Sequence, residues 1–454
     1  MSRQCCEFNP SAERIFLDAV KVLPGGVSRN TIYRKPRPYY VDRAEGCYVT
    51  DIGGISRIDF ANNMCSLIHG HSHPEIVKAV TEQLHRGTAF TMATEVEVRY
   101  AEHLCRRVRS LDKIRFTNSG TEAVMAMIKA ARAFTGRPMI AKAEGAYHGC
   151  YDYAEVSQTA GPSDWGDLDR PNKVPVARGT PQGVLEDVII FPFNDVKRTL
   201  ALLDGKADRI AAVLIDPMPH RIGLFPADKD FLQAVYNWTR RNGALLIFDE
   251  VITFRCEYGG AQEWYPVRPD MTALGKIIGG GFPAGALAGS DEVMRVLDPA
   301  QETIPMPHSG TFSANPITMT AGKVAMELFD QEAVNRLNSM AETARGQLRE
   351  AARVAGIPAR VNGSGSLFRI HLGLNEEPRS YRQILPCKIR GAWLRKMLDL
   401  AYDAGIMMIN TGTGALSTPM TRLEIDRLSE SFLKAFREIK PDIDRDIDRL
   451  KTGV

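Results

Sequence analysis

Three short stretches of the chain carry side chains whose types and spacing fit chemistry. The first, Asn-Ser-Gly-Thr-Glu at 118–122, is a polar turn between an apolar run and an apolar helical pattern. Ser119 with Glu122 three positions later predicts a capping box, which needs no further function. A glycine-containing turn at a helix N-terminus also presents free N–H groups and a favourable dipole for phosphate. The pattern alone leaves both interpretations open.

The other two stretches supply an acid and an amine. Asp249 ends the apolar run Ala244–Glu250, so its carboxylate is expected at the carboxyl edge of a sheet, where it either pairs with a cation such as a ring nitrogen or caps a helix. Lys276 precedes the glycines 279–281, which favours a buried amine nucleophile over an exposed loop lysine. A phosphate site, an acid and a Schiff-base lysine together are what pyridoxal 5′-phosphate requires.

The order of these motifs resembles the class III pyridoxal-phosphate-dependent aminotransferases, and most closely the glutamate-1-semialdehyde aminomutases and the β-amino acid and D-phenylglycine aminotransferases. The resemblance runs from about residue 23 to residue 323. The stretches that carry it are LPGGV, HGHSHPEI, RFTNSGTEA, EGAYHG, GALLIFDEVIT, PDMTALGKIIGGG and SGTFSANPITMTAG.

The resemblance implies an α/β fold of the aspartate aminotransferase type (fold type I). A large, mostly parallel α/β/α sheet domain over 66–325 would be followed by a small α+β domain over 326–454. Residues 1–65 would form a helix and a small antiparallel sheet that belong to the small domain. The resemblance also implies a homodimer with composite active sites.

The same resemblance assigns roles to particular residues. Lys276, Asp249 and Tyr147 would be catalytic, with Lys276 forming the Schiff base and Asp249 pairing with the ring nitrogen. Tyr147 and Val251 would pack on opposite faces of the ring. The residues expected to bind the cofactor are Ser119, Gly120, Thr121, Tyr147, His148, Asp249, Val251, Lys276 and Thr311, the last acting on the neighbouring subunit.

Substrate recognition is where the sequence departs from its relatives. Relatives that act on amino acids grip the carboxylate with arginine, and one such arginine precedes the final strand. The corresponding loop here, MINTGTGALS at 408–417, has none. The arginines that remain near the expected pocket are Arg29, Arg34, Arg221 and Arg255. Of these, Arg29, Arg221 and Arg255 are expected to bind the substrate, with Arg29 the first choice.

Two other chemistries are weighed against this one. His69, His71 and His73 alternate, but they lie in a turn that leads into a helix starting near Pro74, so no metal site is predicted. The glycines 279–281 lack the GxGxxG and Walker spacings of nucleotide loops. His148 is expected to play a structural role or to support the site from behind.

Several reactions stay open on this machinery. The first hypothesis is an aminotransferase that moves an amino group between an amine, or a non-α amino acid, and a keto acid. The alternatives are an aminomutase and an ammonia-lyase, either acting on a small amine with a carboxylate or phosphonate. A non-catalytic regulator is a fourth possibility, which the presence of Lys276 disfavours.

Composition agrees with a globular enzyme of more than one domain. The chain has 454 residues, is 44% hydrophobic and 24% charged, and carries a net charge of +3, so no basic surplus points to nucleic acid or membrane. Its eight cysteines form no CxxC pair and no secretory signal is evident, which predicts reduced thiols and a cytoplasmic location.

The hydrophobic pattern of the sequence also predicts the strands and helices that position these residues. The continuous apolar runs 210–216 and 244–250, each ending in acids, predict buried parallel strands. A helix is expected at 231–241, before the second of them. Long amphipathic helices are expected over 333–355, 393–404 and 422–439.

Overall fold

The computed structural model describes residues 10–452, with side chains to residue 447. Cys5 and Cys6, for which no role was predicted, lie outside this range, as do the outermost residues of the first and last predicted segments. The six described cysteines carry free thiols. Among the described residues, none of the helices has the length and apolar character that crossing a bilayer requires.

Sixteen strands form four sheets in the described chain. In chain order they are β1 Val41–Glu45, β2 Tyr48–Asp51, β3 Ser56–Asp59, β4 Lys113–Thr117, β5 Met139–Ala143, β6 Gly166–Asp167, β7 Arg170–Pro171, β8 Val188–Phe191, β9 Ile210–Ile215, β10 Leu245–Asp249, β11 Met271–Gly275, β12 Gly285–Gly289, β13 Ala359–Asn362, β14 Leu367–Leu372, β15 Ile406–Met407 and β16 Thr413–Ala415.

Fifteen α-helices accompany these strands in the same range. They are α1 Pro10–Val22, α2 Asn62–Cys65, α3 Pro74–Leu84, α4 Glu95–Arg107, α5 Gly120–Thr135, α6 Asp152–Glu155, α7 Gln182–Glu186, α8 Val196–Asp204, α9 Lys229–Asn242, α10 Asp291–Met294, α11 Pro316–Leu328, α12 Gln331–Ala355, α13 Tyr381–Ile384, α14 Lys388–Asp403 and α15 Arg422–Thr452.

The central sheet has seven strands in the order β4-β12-β11-β10-β9-β5-β8. Strands β8, β5, β9, β10 and β11 are mutually parallel, and only β12 runs against its neighbours β11 and β4. The runs predicted as buried parallel strands are β9 and β10, in which every residue is buried. The predicted mostly parallel α/β fold is confirmed.

Helices cover both faces of this sheet, because its strands are apolar on both sides. On one face α5 packs its buried residues, among them Val124 and Met127, against the sheet. On the other face α9 places Phe231, Leu232 and Trp238 in a second core. The carboxyl ends of the parallel strands therefore meet at one edge, where ligands of open α/β sheets bind.

The chain before β4 and the chain after α11 share sheets and a core. The predicted antiparallel strands β1, β2 and β3 form, and β15 from the C-terminal part adds in parallel beside β3. A separate antiparallel sheet has the order β13-β14-β16. Helices α12 and α14 match the predicted amphipathic helices, whereas α15 continues well beyond 439 and through Pro441.

Candidate active site

A cavity of about 350 Å³ opens at the carboxyl edge of the central sheet. Its walls come from the segments that follow β4, β5, β9, β10 and β11, with one side closed by residues of α2. The three stretches singled out in the sequence meet here, since Ser119, Asp249 and Lys276 all line the cavity. Residues far apart in sequence are thus brought together by the parallel topology.

Helix α5 points its N-terminus into the cavity. Ser119 is the N-cap, and its Oγ accepts a hydrogen bond from the Glu122 N–H at 3.1 Å. The reciprocal half of the predicted capping box is wrong, because the Glu122 carboxylate accepts from the backbone N–H of Asn118 at 2.8 Å instead. The first-turn amides of Gly120 and Thr121 have no acceptor within the helix, so they are available to an anion.

Two glycines allow close approach around this helix N-terminus. A Cβ on Gly120 would lie 2.8 Å from Val251 Cγ1, and a Cβ on Gly149 would lie 2.7 Å from Thr121 Oγ1. Gly149 also has a φ of +93°, a region that residues with side chains rarely adopt. A side chain at either position would fill space beside the N-terminus of α5, against Val251 or Thr121.

We expect Gly120→Ala to weaken binding of pyridoxal 5′-phosphate by about tenfold or more, because the added methyl must displace Val251 in a close-packed wall. Equilibrium titration of the apoprotein with the cofactor measures this. The matched control is Gly183→Ala, since Gly183 has no atom within 4 Å of its added Cβ. Equal affinities of the two variants would contradict the assignment of the helix N-terminus as the phosphate site.

Lys276 follows β11 directly and begins a 3-10 helix, Lys276–Gly279. Its φ of +50° is uncommon for a residue other than glycine, and such strained backbone occurs most often at functional sites. Burial lowers the pKa of Lys276 below the ordinary lysine value. A larger fraction of its amine is therefore neutral and nucleophilic at neutral pH.

Asp249 is buried at the end of β10 and is held on both oxygens. Oδ2 accepts from His148 Nδ1 at 2.7 Å, and Oδ1 accepts from the Val251 N–H at 3.1 Å. Burial lowers the pKa of His148, while the bond to Asp249 opposes this. His148 thus contacts the carboxylate from behind, and its expected role in binding the cofactor stays a prediction. These two bonds fix the direction of the Asp249 carboxylate.

Asp216 is a second carboxyl group in the wall that sequence reasoning did not assign to the site. It follows β9, the strand next to β10, so the strand-end argument made for Asp249 applies to it equally. Burial, together with the charge of Asp249, raises the pKa of Asp216 well above its usual range. A larger fraction of Asp216 is therefore protonated at a given pH than of an exposed aspartate.

Tyr147 and Val251 both line the cavity, as the resemblance requires of the residues that face the ring. Tyr147 remains 38% exposed, and its hydroxyl lies 3.7 Å from Cys150 Sγ. Phe282, another wall residue that the sequence did not single out, is also partly exposed. The exposed side of the cavity is therefore aromatic.

Thr311 is exposed and does not line the cavity of its own chain. It lies in a turn before α11 next to Phe312, which is 59% exposed. This placement agrees with the expectation that Thr311 reaches the site of a neighbouring subunit, and that role stays a prediction.

The three candidate arginines have different surroundings. Arg29 donates from Nη1 to Asn63 Oδ1 at 2.8 Å, and Asn63 lines the cavity. The Arg221 guanidinium lies 5.3 Å from the ring centroid of Tyr147. Both therefore lie one residue away from the cavity wall.

Arg255 is different, because the structure turns it away from the cavity. Its side chain is fully buried and donates to Ser366 Oγ at 2.8 Å, to the Cys65 carbonyl at 3.0 Å and to the Leu416 carbonyl. These bonds hold the buried guanidinium against residues that do not line the cavity. The expectation from sequence that Arg255 binds the substrate is therefore wrong.

We expect Arg255→Met to reduce the free energy of unfolding by about 3–5 kcal/mol, because buried acceptors lose a charged donor. Urea denaturation measures this change. Arg422→Met is the control, since the Arg422 side chain is 67% exposed. A variant that is as stable as the wild-type chain but binds substrate poorly would restore Arg255 as a ligand.

The loop that lacks the expected arginine has one close by. Arg369 of β14 pairs in register with Thr413 of β16 and donates from Nη1 to the His220 carbonyl at 2.6 Å. His220 Nε2 lies 3.2 Å from Thr411 Oγ1. Sequence reasoning missed Arg369, because it sits within the apolar run SLFRIHL and is 149 residues away from its partner.

The clustered histidines have ordinary structural partners. His69 contacts Thr418 Oγ1 at 2.9 Å and the Ala325 carbonyl at 2.8 Å, and His71 contacts Asp59 Oδ2 at 2.9 Å. No group of three or more potential metal ligands occurs within residues 10–447.

The residues present fit pyridoxal 5′-phosphate. The helix N-terminus suits its phosphate, and the carboxylate of Asp249 suits a protonated ring nitrogen. The space that Gly120 and Gly149 leave clear would be filled by any Cβ. Lys276, with its lowered pKa, suits an aldehyde.

Comparison with known proteins agrees with this fit. The sequence profile described as aminotransferase class-III matches residues 31–438. A glutamate-1-semialdehyde 2,1-aminomutase from Methanothermobacter thermautotrophicus is 40% identical over 371 residues, which cover 82% of this chain and 85% of that protein.

Two solved structures share the whole fold. An omega-transaminase from Sphaerobacter thermophilus is 46% identical, with a TM-score of 0.93, and the match covers 96% of this chain and 99% of that one. A β-phenylalanine aminotransferase from Variovorax paradoxus is 32% identical, with a TM-score of 0.85 and 95% of each chain covered. The chain belongs to the class III aminotransferases and is an enzyme that depends on pyridoxal 5′-phosphate.

Proposed function

We propose that the chain is an aminotransferase that moves an amino group between an amine, or a non-α amino acid such as a β-amino acid, and a keto acid. One observation carries the proposal: a single cavity joins the N-terminus of α5, the fixed carboxylate of Asp249 and the amine of Lys276. These are the groups that amino-group transfer with pyridoxal 5′-phosphate needs.

Each residue then has one task. Ser119, Gly120 and Thr121 would bind the cofactor phosphate at the helix N-terminus. Asp249 would pair with the ring nitrogen, supported by the two bonds that fix its direction. Lys276 would hold the aldehyde.

The ring faces would be covered by Tyr147 and Val251, both of which line the cavity. Thr311 would be supplied to the phosphate by a second copy of the chain, because it is exposed and outside the cavity of its own chain. The proposal therefore includes a homodimer with composite sites. A cytoplasmic location stays a prediction from the sequence.

When bound, pyridoxal 5′-phosphate withdraws electrons from the amine-bearing carbon of the substrate and so acidifies its proton. Lys276 is the one lysine in the cavity wall of the described chain, and its lowered pKa suits a base that takes and returns that proton. Asp216, whose pKa is raised by burial and by the charge of Asp249, would donate a hydrogen bond whenever it is protonated.

Two observations favour transfer to a separate keto acid. The omega-transaminase from Sphaerobacter thermophilus is 46% identical over nearly the whole chain, and the Variovorax paradoxus relative is an aminotransferase for β-phenylalanine. The aminomutase remains the second candidate, since the relative from Methanothermobacter thermautotrophicus bears that name at 40% identity. Arg29 and Arg221 are the remaining arginines for a substrate anion.

The proposal is tested by mixing the holoenzyme with candidate amines and β-amino acids while all keto acid is left out. An aminotransferase stops after one half-turnover, with the cofactor carrying the amino group and no free ammonia. Adding a keto acid then restarts turnover. Continuous ammonia release without an acceptor would instead identify a lyase, and isomerisation of glutamate 1-semialdehyde without an acceptor would identify the aminomutase.

A further inference from the structure

A cluster of basic side chains lies where the segment after β9 meets strands β14 and β16. Arg369 of β14 donates from Nη1 to the carbonyl of His220, at 2.6 Å. His220 in turn contacts Thr411, whose hydroxyl lies 3.0 Å from that of Thr413. Arg221 follows His220 directly. The Arg369 guanidinium is thus bonded to the residue that directly precedes Arg221.

Neither guanidinium is neutralised by the protein. Arg369 is only 6% exposed, and its Nε is buried without a hydrogen-bond partner. Arg221 is half-buried and, among the side chains that the structure describes, has no hydrogen bond and no carboxylate within 4 Å. The charge of Arg221 acts on the carboxyl group of Glu155, but the two side chains form no ion pair within 4 Å. A buried positive charge without a counter-ion is costly.

The charges persist at neutral pH. Burial and the charge of Arg221 lower the pKa of Arg369 to about 10, so the side chain is still protonated at pH 7. His220 adds no third charge, because burial lowers its pKa to about 3. The cluster therefore carries two positive charges, one on the half-buried Arg221 and one on the buried Arg369.

The cluster borders the active-site cavity. The Arg221 guanidinium lies against Tyr147, 5.3 Å from the ring centroid, and Tyr147 is part of the cavity wall. On its other side, Arg369 and Thr411 line a cavity of about 30 Å³ that contains no acidic residue. An anion bound at Arg221 would thus be held beside the ring of Tyr147.

We propose that Arg221 binds the carboxylate of the amino substrate, and that Arg369 is a positioning residue that holds the His220–Arg221 segment and adds the second positive charge. This inference rests on the proposed aminotransferase function and narrows it. The substrate is an amino acid whose carboxylate is remote from the amine-bearing carbon, and a plain amine is a poor substrate.

The test compares two donors with the same carbon skeleton, 3-aminobutanoate and butan-2-amine, which differ in the carboxylate alone. Each is mixed with the holoenzyme without keto acid, and the half-reaction is followed by cofactor absorbance. The wild-type chain should react at least about 10- to 100-fold more efficiently with 3-aminobutanoate, the range expected for a charge-assisted contact.

Arg221→Gln and Arg369→Gln should remove most of this preference by raising the half-saturating concentration of 3-aminobutanoate, with its maximal rate and the reaction of butan-2-amine little changed. Arg369→Lys keeps the charge and should retain most of the preference. The matched control is Arg360→Gln, at the exposed position of the neighbouring strand β13, which should behave as wild type.

Two results would overturn the inference: a wild-type chain that does not prefer 3-aminobutanoate, or Arg369→Gln losing activity equally with both donors. Calorimetry of butanoate binding to the holoenzyme distinguishes failure of the Arg221 carboxylate site from failure of the proposed aminotransferase function. If the enzyme proves to be a lyase or a mutase, butanoate should still bind to the wild-type chain and to Arg360→Gln, but not to Arg221→Gln. If all variants bind butanoate equally well, Arg221 does not form a carboxylate-binding subsite.

Discussion

Replacing Lys276 with alanine is expected to lower turnover by about 10²- to 10⁴-fold from the loss of proton transfer alone. Lys276 is the lysine of the cavity wall, and its lowered pKa makes it both nucleophile and base. The carboxyl groups of the cavity wall are Asp216, whose pKa burial raises, and Asp249, which is engaged by two hydrogen bonds. No neighbour is therefore placed to replace it.

The covalent role of Lys276 has a readout that does not depend on turnover. Borohydride treatment of the wild-type holoenzyme should leave the cofactor attached to the peptide that contains Lys276, as detected by mass spectrometry. Lys276→Ala should bind the cofactor without covalent attachment, since the helix N-terminus and Asp249 are unchanged. A small primary amine added to this variant should restore part of the proton transfer.

Lys113→Ala is the control, because Lys113 is 63% exposed and pairs only with Asp291 on the surface. This variant should keep wild-type turnover and wild-type attachment of the cofactor. Turnover by Lys276→Ala at the wild-type rate, or attachment at a different lysine, would remove the basis of the proposed chemistry.

The residues at strand ends were predictable from sequence, because topology decides where they lie. Asp249 follows a continuously buried run, and in a parallel sheet the carboxyl end of such a strand must meet the other ligand-binding loops. The same reasoning places Lys276 after β11. It would also have found Asp216 had it been applied to β9.

The direction of a side chain after a turn was not predictable in this way. Arg255 lies only six positions beyond Asp249, yet the 3-10 helix Thr253–Arg255 turns its guanidinium into the protein, towards Ser366. Arg369 is the opposite case. It is a charged residue in the buried strand β14, and the local sequence pattern predicts only that this strand packs in the core. Its contact with His220 joins segments 149 residues apart, and no local rule reports such a pair.

The capping box predicted at the start of α5 is only half correct, for a related reason. The spacing of Ser119 and Glu122 is right for a capping box, and half of it forms. The carboxylate of Glu122 instead bonds to the backbone N–H and the side-chain amide of Asn118, one residue further out. A local motif was thus adapted to a turn that must leave the amides of Gly120 and Thr121 open.

Replacing Asp249 with asparagine is the other change with a large expected effect. A carboxylate beside a ring nitrogen raises the pKa of that nitrogen by about 1–3 units, and each unit corresponds to about tenfold in the protonated fraction above the pKa. Asparagine has nearly the same shape, and its carbonyl can still accept from the Val251 N–H while its amide group faces Nδ1 of His148, to which it can donate in the other imidazole tautomer. The fold should therefore persist while the charge is lost.

Turnover of Asp249→Asn is accordingly expected to fall by about 10- to 1000-fold at neutral pH. The sign of the pH effect follows from the charge: the wild-type carboxylate keeps the ring nitrogen protonated to higher pH, so in the variant the cofactor spectrum should titrate about 1–3 units lower. Asp291→Asn, at a surface position that is 55% exposed, should change neither property. If the spectrum of Asp249→Asn titrates as in the wild type, the ring nitrogen is bound elsewhere, and the proposed orientation of the cofactor between α5 and β10 is wrong.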